Sequence, residues 1–371
     1  MKKICMLTTN PVDFDGRILH EAEALSQSFQ VTILARAGRP NPALKNTLFK
    51  IKRSKFSAGL PYQLSVLIAM ARLARDAFRE NPDFFHAHDL PGLLCLWPAA
   101  LIKKKPLIYD SHELWAGHFN FQNTRGLHWL FPVLEKWLMA KVAKGITVND
   151  SLAEILTQKY HKEFLTIHNY YQPSKKTQTS LDLRKQFPGE IICLHLGSTG
   201  VGRGIEQMIR AAKLLPTGFI IILLGADKRI ELIQEKIKQE GLEDKVILLP
   251  PVAPDEVITV AVGADMGLVL TQNISQSYYL SSPNKLYQYM MAETPVLGSD
   301  FPEYKKIILK NNIGLVANPA QPKAIAKAIQ EMAKTQNQKK YRANLKGLAK
   351  TKYNWAHESK KLLKFYKDIA S

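Results

Sequence analysis

The sequence predicts an α/β protein made of two doubly wound parallel sheets, and three observations predict it. Short apolar runs alternate along the whole chain with longer amphipathic stretches, the pattern of parallel strands joined by helical crossovers. A polar, proline-bounded stretch, QPSKKTQTSLDLRKQFPGE at 172–190, separates two sets of such runs. The chain has 371 residues, 46% of them hydrophobic and 22% charged, a length that suits two domains at roughly 100–200 residues each. This composition excludes a disordered, collagenous or disulfide-stapled protein. The expected organisation is a first domain over 1–172, a linker over 173–190, a second domain over 191–353 and a separate amphipathic helix over 354–371.

Taken in order, the candidate strands of the first half are KICMLT, VTILAR, FFHAH, LIYDS and GITVN. Those of the second half are IICLHL, FIIILLG, KVILLP, MGLVLT, TPVLGS and GLVA. The first run reads as a buried strand rather than the core of a signal peptide, because it is brief and has no small-residue cleavage site after it. The longest apolar stretch, 90–102, holds two prolines and ends at Lys103, Lys104 and Lys105, short of the ~18–20 residues of a membrane span. Cys5, Cys95 and Cys193 lie far apart in apolar segments without metal or disulfide spacing. Reduced core thiols and a cytoplasmic location are therefore expected.

Lys and Arg number 51 against 32 Asp and Glu, a net charge of +19 that attracts anionic partners. Between Lys323 and Asp368, thirteen basic residues stand against three acidic ones, about half of that excess. Charge alone leaves solvated helix faces, an anionic lipid surface and nucleic acid all open. A second stretch, 115–144, sets Phe119, Phe121, Trp129, Leu130, Phe131 and Trp137 beside Arg125, Lys136, Lys141 and Lys144. That mix fits an interfacial helix, and equally a core helix with a solvated rim.

In doubly wound sheets ligands bind beyond the carboxyl ends of the strands, so the residues after each run carry the candidates. After the first strand, Asp15, Gly16 and Arg17 lead into the helical pattern Ile18, Ala22, Leu25. Gly16 lets a ligand approach the backbone and the helix start offers N–H groups to an anion, or Asp15 caps the helix and Gly16 makes its turn. His86 and His88 fall on one strand face before Asp89. With Asp110 or His112 they have the donors of a metal site; the other reading is a core or cleft lining. Past LIYDS, His112 is placed for hydrogen-bond donation or proton transfer near neutral pH, or for a local loop contact.

The run IICLHL is followed by Gly197-Ser198-Thr199-Gly200-Val201-Gly202-Arg203-Gly204 and a helix. Glycines expose N–H groups to phosphate oxygens and Arg203 neutralises their charge. The spacing matches neither GxxxxGK[ST] nor GxGxxG, although Asp227 after FIIILLG leaves a nicotinamide reading open. In YYLSSPNKLYQYMMAETPVLGS, residues Ser281, Ser282 and Pro283 begin a helix that sets Lys285 and Gln288 on one face and turns Leu286, Tyr289 and Met290 inward. This is a phosphate site or a capped surface helix. Together, Gly16 and His112 in one sheet and Arg203 and Lys285 in the other predict a site for a phosphorylated ligand in an interdomain cleft.

Over essentially its whole length the sequence resembles the family 4 glycosyltransferases of the GT-B fold. The matching segments, in order, are Asp15-Gly16-Arg17-Ile18 with Glu21-Ala22, FFHAHDLPGLL, LIYDSHELW, ITVNDSLAEIL, LHLGSTGVGRGIEQMIRAA, SPNKLYQYMMAETPVLGSD, NIGLVANPAQPKAIAKAI and YNWAHESKKLLKFY. The resemblance implies two Rossmann-like domains facing a cleft, with the terminal helix crossing back to the first. It implies retaining transfer of a sugar from a nucleotide-sugar cosubstrate, UDP- or GDP-linked, with no other cofactor and no metal, the leaving phosphate taking the acceptor proton. The implied donor residues are Gly16, Gly200, Gly202, Arg203, Ser282, Asn284, Lys285, Leu286 and Gln288. His112, which contacts the transferred sugar, acts with Arg203 and Lys285 in catalysis, and Arg17, His88, Asp89 and Asp110 lie on the acceptor side.

Three departures from the family pattern involve four positions. The glutamate pair spaced E-x7-E is replaced by Leu280 and Gln288, the arginine after the strand glycine by Ser198, and a usual glycine by Glu293. A neutral Gln288 holds ribose hydroxyls less strongly than a carboxylate. The expected enzyme acts at the inner face of the cytoplasmic membrane on a glycan or lipid-linked acceptor, with an anionic membrane surface as a partner and no specific nucleic acid. The alternative is a catalytically degenerate protein of the same fold, acting as a binding or scaffold subunit.

Overall fold

The computed structural model describes residues 1–55, 59–115, 130–171, 179, 181–225 and 229–370. Phe119, Phe121, Arg125, Trp129, Gln172 and Asp227 lie outside the described residues, as do the side chains of Leu130 and Phe131. The chain divides into two compact units, Met1–Asn169 with Ala356–Ser371, and Tyr170–Trp355.

The strands of the first unit are β1 (Lys3–Pro11), β2 (Gln30–Arg36), β3 (Lys50–Ser54), β4 (Phe84–His88), β5 (Leu107–Ser111), β6 (Lys144–Thr147) and β7 (Phe164–Thr166). They form one sheet in the order β3-β2-β1-β4-β5-β6-β7, parallel throughout. β4 and β5 are buried along their whole length, as strands covered by helices on both faces must be. The edge strands β3 and β7 had no counterpart among the apolar runs. β3 reads KIKRS and β7 has 3 residues, and a charged or very short strand is how a sheet edge avoids further pairing. The helices that follow β1, β3 and β4 are α1 (Gly16–Ser26), α2 (Tyr62–Arg79) and α3 (Asp89–Ile102), and because the strand order reverses between β1 and β4, α1 and α3 start at the switch point. Parallel register then sets His88 of β4 beside Asp110 of β5.

The second unit carries β8 (Ile191–Leu196), β9 (Phe219–Leu224), β10 (Val246–Leu249), β11 (Met266–Val269), β12 (Val296–Ser299) and β13 (Gly314–Ala317), in the order β10-β9-β8-β11-β12-β13. All six coincide with apolar runs of the sequence. Its switch point lies between β8 and β11, which brings the glycine-rich turn after β8 next to the end of β11. The unit also takes in part of the stretch expected as a linker. Leu183 is buried in its core, Leu181 packs against that core, and the Tyr170 ring meets Tyr287 and Tyr353 at 4.9 and 5.4 Å. Two leucines in a polar segment were enough to anchor it.

The last helix, Trp355–Ala370, leaves the second unit at its first residue and belongs to the first from Ala356 onward. Leu362 and Tyr366 are its buried residues at the sheet. The Tyr366 ring is held by Phe29 and Phe84 at 5.7 and 5.8 Å, and its hydroxyl bonds His86 Nδ1 at 2.7 Å. At the other end, the Glu358 carboxylate accepts from the His168 amide at 2.8 Å. Truncating such a ring leaves a cavity that surrounding side chains refill only in part. Tyr366→Ala is expected to lower stability by about 3–5 kcal/mol. Amide exchange should rise in β1 and β4 while β8 and β9 keep their protection.

Candidate active site

The sequence candidates assemble into two clusters, one at the strand ends of each unit. In the first, α1 begins with Asp15 as its cap, the carboxylate accepting from the Ile18 amide at 3.2 Å. The next residue, Gly16, has open space where a side chain would stand, with nothing within 4 Å of an added Cβ. Packing therefore does not require glycine here, and the space is free for a ligand. One turn of helix directs Arg17 and Glu21 inward, where both are buried. Arg17 forks onto Asp110, with Nε 3.0 Å from Oδ2 and Nη2 2.8 Å from Oδ1, and its Nη1 donates to the Ile167 carbonyl at 2.6 Å.

His112 is the member of this network that reaches the surface, its side chain 18% exposed. Its Nε2 lies 3.0 Å from Asp110 Oδ2 and 3.3 Å from His88 Nδ1, and its Nδ1 lies 3.6 Å from Asp89 Oδ2. Asp89 also accepts from the His112 amide at 3.0 Å and from Trp115 Nε1 at 2.9 Å. It does so from a left-handed backbone conformation, φ 61°, which for a non-glycine residue stores strain where the chain turns from β4 into α3. Burial opposes a charge on His112, but Asp89 and Asp110 outweigh it and push its pKa up to about 10. His112 is thus an imidazolium and a hydrogen-bond donor at neutral pH. Proton abstraction near neutrality, which its position in the sequence also allowed, is not available to it.

Arg17, His88 and Asp110, which the sequence placed on the acceptor side, are instead buried, with their polar atoms turned onto one another and onto His112. They support the exposed histidine from beneath. Glu21, His86, His88 and Asp110 bring ligand atoms within 4.8 Å of one another; the two histidines and Asp110 belong to the metal alternative raised from the sequence, and Glu21 is an addition to it. Here the compensating cation is Arg17, which meets Glu21 Oε1 at 3.1 Å as well as Asp110. Burial pushes Glu21 up to about 8 in spite of Arg17, whose well-aligned donors are committed to Asp110 and Ile167. Asp110 is held well below the usual carboxylate range against its burial by Arg17 and His112.

In the second unit, the turn after β8 packs tightly and needs its glycines. Gly202 and Gly204 have φ of 80° and 74°, and a Cβ on Gly204 would lie 2.2 Å from the Leu270 carbonyl oxygen. The Gln272 amide donates to the Gly202 carbonyl at 2.8 Å, tying the turn to the end of β11. Within the turn, the Arg203 amide donates to Gly200 O at 3.2 Å and the Gly200 amide to Ser198 Oγ at 3.1 Å. The Arg203 guanidinium lies over the Tyr278 ring at 5.1 Å.

The helix Asn284–Met291 carries Lys285 on its first turn while Leu286, Tyr289 and Met290 are buried. The Tyr289 hydroxyl donates to Leu194 O at 2.6 Å and pins this helix to β8. Lys285 Nζ then lies 3.0 Å from His195 Nε2, which also lies 3.1 Å from the Ser198 carbonyl oxygen. Burial, with the nearby charge of Arg203, pushes Lys285 down to about 7. Neither Arg203 nor Lys285 forms a salt bridge with an acid among the described residues. Of the remaining candidates, Ser282 Oγ bonds the Tyr287 hydroxyl at 2.6 Å and Asn284 is exposed. The Leu286 side chain is buried, as its inward turn implied, and its amide donates to Pro283 O at 3.0 Å. Glu293 occupies a left-handed conformation, φ 54°, and its carboxylate accepts from the Gly347 amide at 3.2 Å. Its negative charge is thereby engaged at the 342–347 segment.

Sequence reasoning passed over His195, Glu21 and Tyr366. His195 sat inside an apolar run, and its signal was parity: two residues before Gly197, it falls on the same strand face. Glu21 and Tyr366 stand at helix positions otherwise filled by buried apolar residues.

Two doubly wound parallel sheets in separate units, each with a polar cluster at the carboxyl ends of its strands, are the architecture of the GT-B class of glycosyltransferases. The chain belongs to the family 4, group 1 glycosyltransferases: the profile described as Glycosyltransferase Family 4 matches residues 17–174, and that described as Glycosyl transferases group 1 matches residues 182–352. Sucrose-phosphate synthase from Thermosynechococcus elongatus is similar over 100% of both chains, with a TM-score of 0.82 and 16% identity. HepE from Anabaena, solved with UDP, matches 99% of this chain and 100% of its own at a TM-score of 0.79 and 14% identity. The lipopolysaccharide outer core galactosyltransferase WaaB matches 98% of this chain and 99% of its own at a TM-score of 0.66 and 11% identity. At these identities the likeness establishes the fold. No curated protein sequence matches.

Asp110→Asn would remove the acid that Arg17 and His112 share, leaving them only Glu21 and Asp89 respectively, and is expected to cost about 3–5 kcal/mol in urea unfolding. Glu21 and His112 both bind their proton more tightly folded than unfolded. Glu21's contribution is therefore complete only below its ordinary value of 4.5 and His112's only below 6.5, and they are lost as pH rises to about 8 and about 10, respectively. The melting temperature should fall between pH 5 and 9, and in Glu21→Gln the part of that fall below pH 6.5 should vanish while the part due to His112 remains.

Proposed function

We propose that this protein is a retaining glycosyltransferase that moves a sugar from a UDP- or GDP-linked donor to a glycan or lipid-linked acceptor at the inner face of the cytoplasmic membrane. One observation carries the donor half: Arg203 and Lys285 converge on the glycine turn after β8 with no acid salt-bridged to either among the described residues. A guanidinium and a lysine side by side on a glycine turn, with no acid among the described residues to compensate them, ask for a diphosphate. The HepE structures with UDP and UDP-glucose support a uridine donor in this fold. Catalysis is then electrostatic. Arg203 and Lys285 stabilise charge on the departing diphosphate, whose oxygen takes the acceptor proton, while the His112 imidazolium donates a hydrogen bond to the transferred sugar. The charge the leaving group needs comes from side chains rather than a bound metal.

The membrane half rests on surface chemistry. Leu101, Ile102, Val133 and Trp137 are exposed, and Lys103, Lys104, Lys105, Lys136 and Lys141 stand among them in the chain. Trp137 packs edge-on against Trp97 at 4.9 Å, one helical turn before Leu101, which joins these residues into one apolar and basic surface. No helix of the described residues is long and apolar enough to cross a membrane. WaaB supports a lipid-borne glycan as the kind of acceptor met in this fold.

Calorimetry with UDP, GDP, ADP and CMP should find selective binding to one nucleotide. Arg203→Ala should weaken it by about 10- to 100-fold, the worth of a hydrogen bond to a charged group. Gly16→Ala should leave the melting temperature unchanged and lower the affinity for the intact nucleotide sugar. Nucleotide binding without donor hydrolysis or transfer would mark the degenerate binding subunit, which the neutral Gln288 favours. Trp137→Ser should reduce co-sedimentation with anionic vesicles severalfold at low salt, and equal sedimentation of both proteins would remove the membrane reading.

A further inference from the structure

One ring nitrogen of His195 has two partners, and their chemistry decides which proton is where. The Ser198 carbonyl, 3.1 Å from Nε2, can only accept, so that bond exists only if Nε2 carries a proton. Lys285 Nζ, 3.0 Å from the same Nε2, then faces an N–H. An ammonium has three donors and no lone pair, and would meet that N–H head on; a neutral amine accepts from it. The opposite tautomer fails twice. It would set the bare Nε2 against the carbonyl lone pairs, and it would place an N–H at Nδ1, a buried atom with no hydrogen-bond partner.

We propose that His195 is a positioning residue of the donor site, which parks Lys285 as a neutral amine, and that a nucleotide diphosphate draws Lys285 away with uptake of one proton from solvent. The role rests on the donor reading of this cluster. The groups facing Lys285 are His195 from β8 and Arg203 from the glycine turn, and the adjoining residue on its own helix face, Gln288, is neutral. Burial and the Arg203 charge both disfavour a second cation, and burial with Arg203 keeps His195 uncharged. A diphosphate reverses the balance: its charge offsets Arg203 and makes the ammonium the better partner. The step balances, since the amine gains the proton that the buffer loses. The empty site thus carries one fixed cation, and the second forms only when its ligand arrives.

Proton uptake is read directly by titrating the intact protein with UDP, GDP and ADP at pH 8 in Tris and in HEPES, whose ionisation enthalpies differ. At this pH the terminal phosphate, which titrates near pH 6, is already ionised and contributes little. The tightest-binding nucleotide should show close to one proton taken up, and its affinity should fall almost tenfold from pH 8 to pH 9. Lys285→Arg, charged throughout, should bind with the same enthalpy in both buffers. His195→Leu should take up less than half a proton, a readout that a merely structural histidine would not move. Binding without buffer-dependent enthalpy in the wild type overturns the proposal and leaves the donor site standing. An unchanged proton count in His195→Leu overturns the part given to His195. If none of the three nucleotides binds, the donor reading itself fails.

Discussion

The first unit depends on one buried ion pair. The fork of Arg17 on Asp110 joins α1 to β5, and a third guanidinium nitrogen reaches the chain just after β7. Every other titratable group at this end of the sheet is defined by what the pair leaves over. Asp110 stays ionised and so keeps His112 charged; Glu21 receives too little of Arg17 and holds its proton. Such a pair gives little net stability against an apolar replacement. What it supplies is placement: a histidine at the surface whose charge and orientation are fixed before any ligand comes.

The second unit solves the converse problem. It gathers positive charge without a stabilising acid, and it manages this with backbone geometry. The close passage of Gly204 over Leu270 and the hydrogen bond from Tyr289 to Leu194 hold turn and helix rigidly, so Arg203 and Lys285 are brought near one another by packing rather than by mutual attraction. Stability spent on such a juxtaposition is recovered when an anion binds.

Much of this was legible in the sequence, and the exceptions have physical causes. Eleven strands announced themselves as apolar runs because both faces of a covered parallel sheet are dry; β3 and β7, at the edge, are charged or short and gave no such pattern. Gly16, His112 and Arg203 stood out as candidates because they follow strands, where a doubly wound fold exposes its ligands, and Lys285 because it lies at a helix start. The burial of Arg17, His88 and Asp110 was not legible, since a polar residue after a strand points into solvent or into the sheet according to register across neighbouring strands. The pairing of His88 with Asp110 exists only once β4 lies against β5. Glu293 is instructive in the same way. The sequence showed an acid in place of glycine, and only the backbone showed a left-handed turn whose carboxylate had found the Gly347 amide.

The first unit is not continuous in the chain, and this has a consequence for biosynthesis. A ribosome finishes β1 to β7 long before it reaches Tyr366, the residue that fills the space between Phe29 and Phe84 and bonds His86. The second unit is contiguous and can close during elongation, while the first waits, its apolar surface uncovered, until the helix that carries Tyr366 emerges. The unit that begins first is therefore the later one to mature. A chain cut before Tyr366 holds a whole second unit and a first unit that lacks the ring between Phe29 and Phe84.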